Sequence, residues 1–319
     1  MRVLITGAGG FVGKHLVEHL LHSIPKVEIH GASQSSHTEL SGSNYINHEV
    51  QLRNAEEVDE LIKEVRPDQI YHLAAQAFVP RSFEAPWETL ENNIQAQLNL
   101  FQACLKEELK PRILVVSSAE IYGRVSPEEM PISEDAELRP TSPYSVSKIT
   151  QDMLALQYHL SHNLPIMRAR PFNHFGPGQN DNFVAPSFAS QIARIEAGIQ
   201  EPVIQVGDLS AKRDFTDVRD IARAYYLILT YGDPGDVFNV ASGTSRSAQD
   251  VLDTLLTFSG VQIDVVVDES RLRPTAIPIL EGDSTRLRKK TGWAPTIPFE
   301  QSLRDILEDQ RQRIKQGVQ

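Results

Sequence analysis

Apolar residues in the first third of the chain follow two rhythms that take turns. Short apolar runs at Val3-Leu4-Ile5, Val27 to His30, Gln69 to Ala75 and Arg112 to Ser118 read as buried strands. Between them, Lys14 to Leu21, Ala55 to Val65 and Leu90 to Cys104 repeat apolar positions every three or four residues, as amphipathic helices do. This alternation predicts an α/β fold with a parallel sheet covered by helices on both faces. After Pro171 the pattern changes. Asn173 to Asp181 is rich in Gly, Pro and Asn and reads as a loop. Helical periodicity returns at Phe183 to Gly198, Val218 to Thr230, 247–257 and 300–313, with short strands at Pro202 to Val206 and Val237 to Val240.

A glycine-rich turn, Gly7-Ala8-Gly9-Gly10-Phe11-Val12-Gly13, joins the first strand to the first helix. In that setting glycines let the backbone turn tightly and approach a pyrophosphate resting on the helix N-terminus. The spacing Gly7-x-x-Gly10-x-x-Gly13 differs from the commoner G-x-G-x-x-G. The bland alternative is a tight turn without a ligand. An acidic residue at the end of the second strand would favour NAD by binding the ribose 2′-hydroxyl. Here that end reads Ile29-His30-Gly31-Ala32-Ser33-Gln34 and carries no acid, which favours NADP(H), with NAD(H) as the alternative.

Ser142-Pro143-Tyr144-Ser145-Val146-Ser147-Lys148 predicts a helix start, with Ser142 as N-cap and Pro143 in the first helical position. Tyr144 and Lys148, four apart, then share a face. An ammonium near a phenol lowers its pKa, which makes the pair a proton donor and acceptor for a carbonyl/alcohol couple. Alone, the pair is weak evidence.

Composition narrows the field. The chain has 319 residues and a formal net charge of −11, which argues against a nucleic-acid or anionic-membrane binder. Its one cysteine, Cys104, sits in a helical apolar run and allows no internal disulfide, as expected of a cytoplasmic protein. No secretory signal is expected, because Met1-Arg2 leads straight into a strand-like run. No apolar segment reaches the roughly 20 residues that span a bilayer. The ten histidines form no metal-ligand spacing, so no metal is expected.

Four motifs occur in order: Gly7-x-x-Gly10-x-x-Gly13, His72-Leu73-Ala74-Ala75, Ser117-Ser118-Ala119-Glu120-Ile121-Tyr122-Gly123 and Tyr144-x-x-x-Lys148. As a set they resemble the extended short-chain dehydrogenase/reductase family that acts on nucleotide sugars, over nearly the whole chain. Arg170-Pro171-Phe172-Asn173-His174-Phe175-Gly176-Pro177-Gly178-Gln179, the 207–220 stretch and Arg271-Leu272-Arg273-Pro274-Thr275 are similar to the GDP-mannose branch, which holds 4,6-dehydratases and 4-keto-reductases. Asn-His-x-Gly-Pro-Gly-Gln is most like the reductases.

The resemblance implies a Rossmann-type doubly wound sheet with a smaller, discontinuous substrate-binding lobe. Residues 1–172 with 215–242 would form the dinucleotide-binding part, and 173–214 with 243–319 the lobe. It implies NADPH-dependent reduction of the C4 keto group of GDP-4-keto-6-deoxy-D-mannose to GDP-D-rhamnose. Tyr144 would be the general acid, Ser118 would bond the same oxygen, and Lys148 would bind the nicotinamide ribose. Gly7, Gly10, Phe11, Val12, Gly13, Ser33, Gln51, Leu52, Leu73, Ala74, Ala75 and His174 would hold the cofactor. Gln76, Asn93, Asn173, Val184, Arg213 and Arg273 would serve the substrate, with Asn93 supporting the site's geometry and the two arginines gripping the pyrophosphate.

Glu120 leaves an alternative open. Dehydratases of this branch use a Glu there, after Thr-Ser or Thr-Asp, to eliminate water across C5 and C6. Here it follows Ser118-Ala119, which favours simple reduction. A GDP-6-deoxy-talose-forming reductase would need only the opposite hydride face. A cofactor-sensing binding protein is the contrasting class; such proteins can lose Tyr or Lys, and this chain keeps both. Two departures stand out. Ala276 replaces a Glu that bonds ribose, and Gln51 replaces an Asp that bonds the adenine amine. A homodimer through the two long helices, Leu90 to Cys104 and Tyr144 to Leu160, completes the expectation.

Overall fold

A computed structural model describes residues 1–34, 42, 44–269 and 277–317. The chain begins β1 (Arg2–Thr6), α1 (Phe11–Ser23), β2 (Glu28–Ser33), β3 (Tyr45–Glu49), α2 (Ala55–Val65) and β4 (Gln69–His72). It continues through α3 (Val79–Glu84), α4 (Pro86–Lys106), β5 (Arg112–Val116), α5 (Pro143–His162) and β6 (Ile166–Pro171). These strands, with β10 described below, form a parallel sheet in the order β10-β6-β5-β4-β1-β2-β3. The order reverses between β1 and β4. A crevice opens there beyond the carboxyl ends of the strands, where ligands bind in open α/β sheets.

Each face of the sheet is covered because its helices are apolar on one side only. Leu16, Val17 and Leu20 of α1 pack on one face. Val58, Leu61 and Ile62 of α2, Leu100 and Phe101 of α4 and Tyr158 of α5 cover the other. Burying a side chain of that size contributes about 1.5–3 kcal/mol.

Beyond β6 come β7 (Asn173–Phe175), α6 (Val184–Glu196), β8 (Val203–Val206), β9 (Lys212–Asp217), α7 (Val218–Tyr231) and β10 (Val237–Val240). The chain ends with β11 (Ser245–Ser247), α8 (Ala248–Thr257), β12 (Asp264–Val267), β13 (Ile279–Leu280), α9 (Thr285–Thr291) and α10 (Phe299–Lys315). α7 returns to the face covered by α1, burying Ile221, Tyr225 and Ile228 there. A separate core forms from Phe188 and Ile192 of α6, Leu252 and Leu255 of α8, and Leu303 and Ile306 of α10. A small sheet pairs β11-β9-β13, with β7 on β9.

Buried polar hubs join these parts. Asp214 of β9 accepts from Ser242 Oγ (2.6 Å), Ser242 N (2.8 Å), Gly243 N (2.9 Å) and Gly282 N (3.2 Å). Its burial is tolerable because the carboxylate is so fully bonded. Asp152 of α5 accepts from Arg168 at 2.8 Å and from Arg170 at 2.9 and 3.0 Å, which pins α5 to β6.

Three expectations shift. α1 begins at Phe11 instead of Lys14, with Gly10 as its N-cap. The Gln69 to Ala75 run is strand only to His72, and Leu73 to Ala75 leave the sheet to border the crevice. The short α3 was not legible in the pattern, being six residues long.

Candidate active site

α5 starts where the sequence predicts. Ser142 caps α5 by accepting from the N–H of Ser145 at 3.1 Å, while Ser145 Oγ accepts from the N–H of Ser142 at 3.0 Å. Pro143 occupies the first turn. Tyr144 is thereby directed into a cavity of about 420 Å³. The glycine turn, Leu73 to Ala75, Ser118, Glu120, Lys148 and the Asn173-His174 strand border the same space.

Ser118 follows β5 and caps a short turn, its Oγ accepting from the N–H of Glu120 at 3.2 Å. Ser118 and Tyr144 border the same cavity, and the Ser118 hydroxyl acts on the phenol's titration. Burial pushes the Tyr144 pKa up to about 12, the Ser118 hydroxyl opposes that, and the Glu120 charge adds to it. Tyr144 therefore carries its proton near neutrality, as a general acid must. Lys148 borders the same cavity, and its Nζ donates to the carbonyl of Val116 at 2.9 Å. Burial lowers the Lys148 pKa to about 7.

Glu120 borders the cavity, its pKa raised by burial and opposed by the Arg213 guanidinium. Arg213, on β9, thus faces Glu120 electrostatically and is not itself in the cavity wall. His174 lies over Phe11, with ring centroids 6.2 Å apart at 12°, and its Nδ1 is 3.1 Å from the Phe172 carbonyl. Burial lowers its pKa, so the ring is neutral near pH 7.

A second cavity of about 540 Å³ adjoins the first along Gly7, Gly10, Ala74 and Ala75, and Ser33, Gln51 and Leu52 line its far end. The glycines make this possible. Gly7 has φ +75°, a left-handed conformation. A Cβ on Gly13 would stand 2.3 Å from the Gly7 carbonyl oxygen, so only glycine lets α1 pack this close. Gln51 Oε1 already accepts from Gln34 Nε2 at 3.0 Å. The arrangement fits a dinucleotide, with pyrophosphate on the turn and nucleosides in the two cavities.

Other expected substrate residues lie elsewhere. Asn93 is fully buried and touches neither cavity. Its Nδ2 donates to Ser147 Oγ at 2.9 Å and to the Gln76 carbonyl at 3.2 Å, and its Oδ1 accepts from the Gln76 N–H at 2.7 Å. Gln76 lines the cofactor-side cavity, with its own amide turned onto Phe78 and Thr89. Val184 packs against the lobe's core, while its neighbour Phe183 reaches the cavity. Arg273 and Ala276 lie outside the described residues. Sequence reasoning missed Phe183, Val79 and Ala77; their signal, apolar residues beside Gly-rich or Gln-rich loops, is too generic to read.

Residues 4–306 match the family described as GDP-mannose 4,6 dehydratase. The chain belongs to this family. GDP-6-deoxy-D-mannose reductase of Pseudomonas aeruginosa is 36% identical to it over 99% of both chains. Human GDP-mannose 4,6 dehydratase is 27% identical, covering 95% of this chain and 90% of its own. Among solved structures, RMD from Pseudomonas aeruginosa complexed with NADPH superposes with a TM-score of 0.88 at 36% identity, covering 98% of this chain and 99% of that one. The UDP-glucose 4-epimerase of Thermotoga maritima, with UDP-glucose, has a TM-score of 0.89 at 25% identity, covering 98% of this chain and all of that one. The relatives thus include both a reductase and a dehydratase.

Proposed function

We propose that the protein is an NADPH-dependent reductase of a GDP-4-keto-6-deoxy sugar, converting GDP-4-keto-6-deoxy-D-mannose to GDP-D-rhamnose. The observation that carries this is that Ser118, a buried and protonated Tyr144 and the glycine turn border one cavity, which adjoins a second along Gly7, Gly10, Ala74 and Ala75. The glycine turn, Ser33, Gln51 and Leu52 would hold the cofactor. When bound, NADPH supplies the hydride for C4. Tyr144 would donate its proton to the C4 oxygen, and Ser118 would bond that oxygen and orient it. Lys148, anchored on Val116, would reach the ribose side, and neutral His174 on Phe11 would close the nicotinamide end.

The identity of 36% to a named GDP-6-deoxy-D-mannose reductase supports the substrate class. Asn173 in the cavity wall would meet the sugar or diphosphate, and Arg213 with Arg273 would offset pyrophosphate charge in an otherwise acidic protein. We divide the chain into residues 1–172 with 215–242 for the cofactor and 173–214 with 243–319 for the substrate. A second copy would dock on α5, where Val146, Met153 and Leu160, seven apart, form an exposed apolar stripe beside Phe83 and Trp87.

Glu120 motivates a second reading, GDP-mannose 4,6-dehydratase, because its carboxyl borders the same cavity. One experiment separates them. The protein is incubated with GDP-mannose alone, and with GDP-4-keto-6-deoxy-mannose plus NADPH, and products are assigned by NMR. Reduction in the second tube with none in the first is expected. Keto sugar from GDP-mannose alone would overturn the reductase reading, and inertness toward every GDP-sugar would sink the substrate class.

A further inference from the structure

His72 is buried to 1% at the end of β4 and has no place in the chemistry above. Its Nδ1 is 2.9 Å from Thr6 Oγ1. Thr6 is the last residue of β1, immediately before Gly7 of the glycine turn, and its Oγ1 also accepts from the Ala74 N–H at 3.2 Å. On the other side, His72 Nε2 is 3.4 Å from the amide of Gln151, which sits on α5 one turn beyond Lys148. Gln151 Oε1 is buried and has no partner as oriented. Turning that amide over would place an acceptor against Nε2–H and leave Nδ1 to accept from the Thr6 hydroxyl. All donors then run one way: Ala74 N–H to Thr6, Thr6 O–H to His72, His72 N–H to Gln151. Burial and the nearby charge of Lys148 keep the ring unprotonated, which this arrangement requires.

We propose that His72 is a positioning residue that fixes the glycine turn against the catalytic helix, so that the cofactor's pyrophosphate and the Tyr144–Lys148 face are held in one register. Thr6, His72 and Gln151 belong to three different elements, and the imidazole is the one side chain that reaches the other two. The inference rests on the reading that the glycine turn holds NADPH.

The test is NADPH affinity by cofactor fluorescence, with melting temperature and steady-state kinetics, for His72→Leu, His72→Asn and Thr6→Val. Leucine removes both bonds; asparagine keeps an amide within reach of Thr6. Loss of a buried hydrogen bond predicts NADPH binding about tenfold weaker in H72L, with a similar fall in kcat. KM for the sugar should stay within about twofold, and H72N should recover most of the NADPH affinity at a melting temperature close to that of H72L. Should the leucine variant fail to fold, T6V removes the same bond from the other end and should weaken NADPH to the same degree. Wild-type NADPH affinity in H72L or T6V, or an H72N no better than H72L, overturns the proposal. A wild-type protein that does not bind NADPH overturns both readings. One that binds NADPH yet reduces no GDP-sugar overturns the reductase alone, and the affinity comparison still decides the role of His72.

Discussion

Lys148 Nζ donates a 2.9 Å hydrogen bond to the carbonyl of Val116, the last residue of β5, and through it α5 is tied to the strand that leads to Ser118. Removing the amine should therefore act on geometry and on charge together. Lys148→Met is expected to lower kcat/KM by about 100-fold, and Tyr144→Phe by about 10²–10⁴, the usual weight of a positioned acid. Circular dichroism should show both variants folded. Unchanged turnover in Y144F would remove Tyr144 from the mechanism.

Glu120 sorts the two chemistries. Burial raises its carboxyl pKa above the usual carboxylate range and the Arg213 charge opposes that rise. In a reductase it only shapes the field around Tyr144. Glu120→Gln should then reduce the keto sugar within about tenfold of the wild-type rate, less than the loss of a positioned acid or base. In a dehydratase the same change would abolish keto-sugar formation from GDP-mannose. The two rates, measured on one preparation, give opposite patterns.

Much of this site was legible before any coordinate, and the reasons are local. Ser142-Pro143 sets a helix start by capping chemistry alone, so Tyr144 and Lys148 could be placed on one face. Gly7 and Gly13 answer backbone constraints that no other residue meets. What could not be read depends on side-chain direction across the fold. Lys148 donates to the Val116 carbonyl, and Asn93 bonds across to Ser147 of α5 without bordering either cavity. Neighbouring Phe183 and Val184 differ only in which way one residue faces.

Asn93 illustrates the cost of that hidden geometry. It joins the loop after β4 to α5, and Ser147, which accepts its bond, donates in turn to the Tyr144 carbonyl at 2.7 Å. Asn93→Ala would remove the partner of the half-buried Gln76 N–H. A loss of about 1–3 kcal/mol of stability is expected from such an unpaired group. Urea denaturation would measure it, and a smaller shift would mean that water replaces the amide.

The apolar stripe on α5 makes the association state testable. Val146, Met153 and Leu160 are 43%, 38% and 69% exposed along one face of α5, the face on which the proposed dimer would pack. Met153→Glu would bury a charge in any helix-to-helix contact there. Sedimentation should show the wild type as a dimer and M153E shifted to monomer. A monomeric wild type would leave the stripe unpartnered and end the dimer proposal.

Acid should expose the buried imidazole at the switch point. Burial, and then the charge of Lys148, lower the His72 pKa from 6.5 to about 3. Between those values the unfolded chain binds a proton that the folded protein refuses. Its contribution to stability is therefore complete above about pH 6.5 and is lost as pH falls toward 3, with a limiting slope of about 1.4 kcal/mol per pH unit. Between pH 7 and pH 5 the wild type should lose about 2 kcal/mol more than His72→Asn, which has no proton to take up. Urea midpoints at the two pH values measure the difference directly. Other buried groups titrate in both proteins and cancel, so equal losses would mean that the imidazole is already protonated in the fold, and that the one-way chain from Ala74 to Gln151 does not exist.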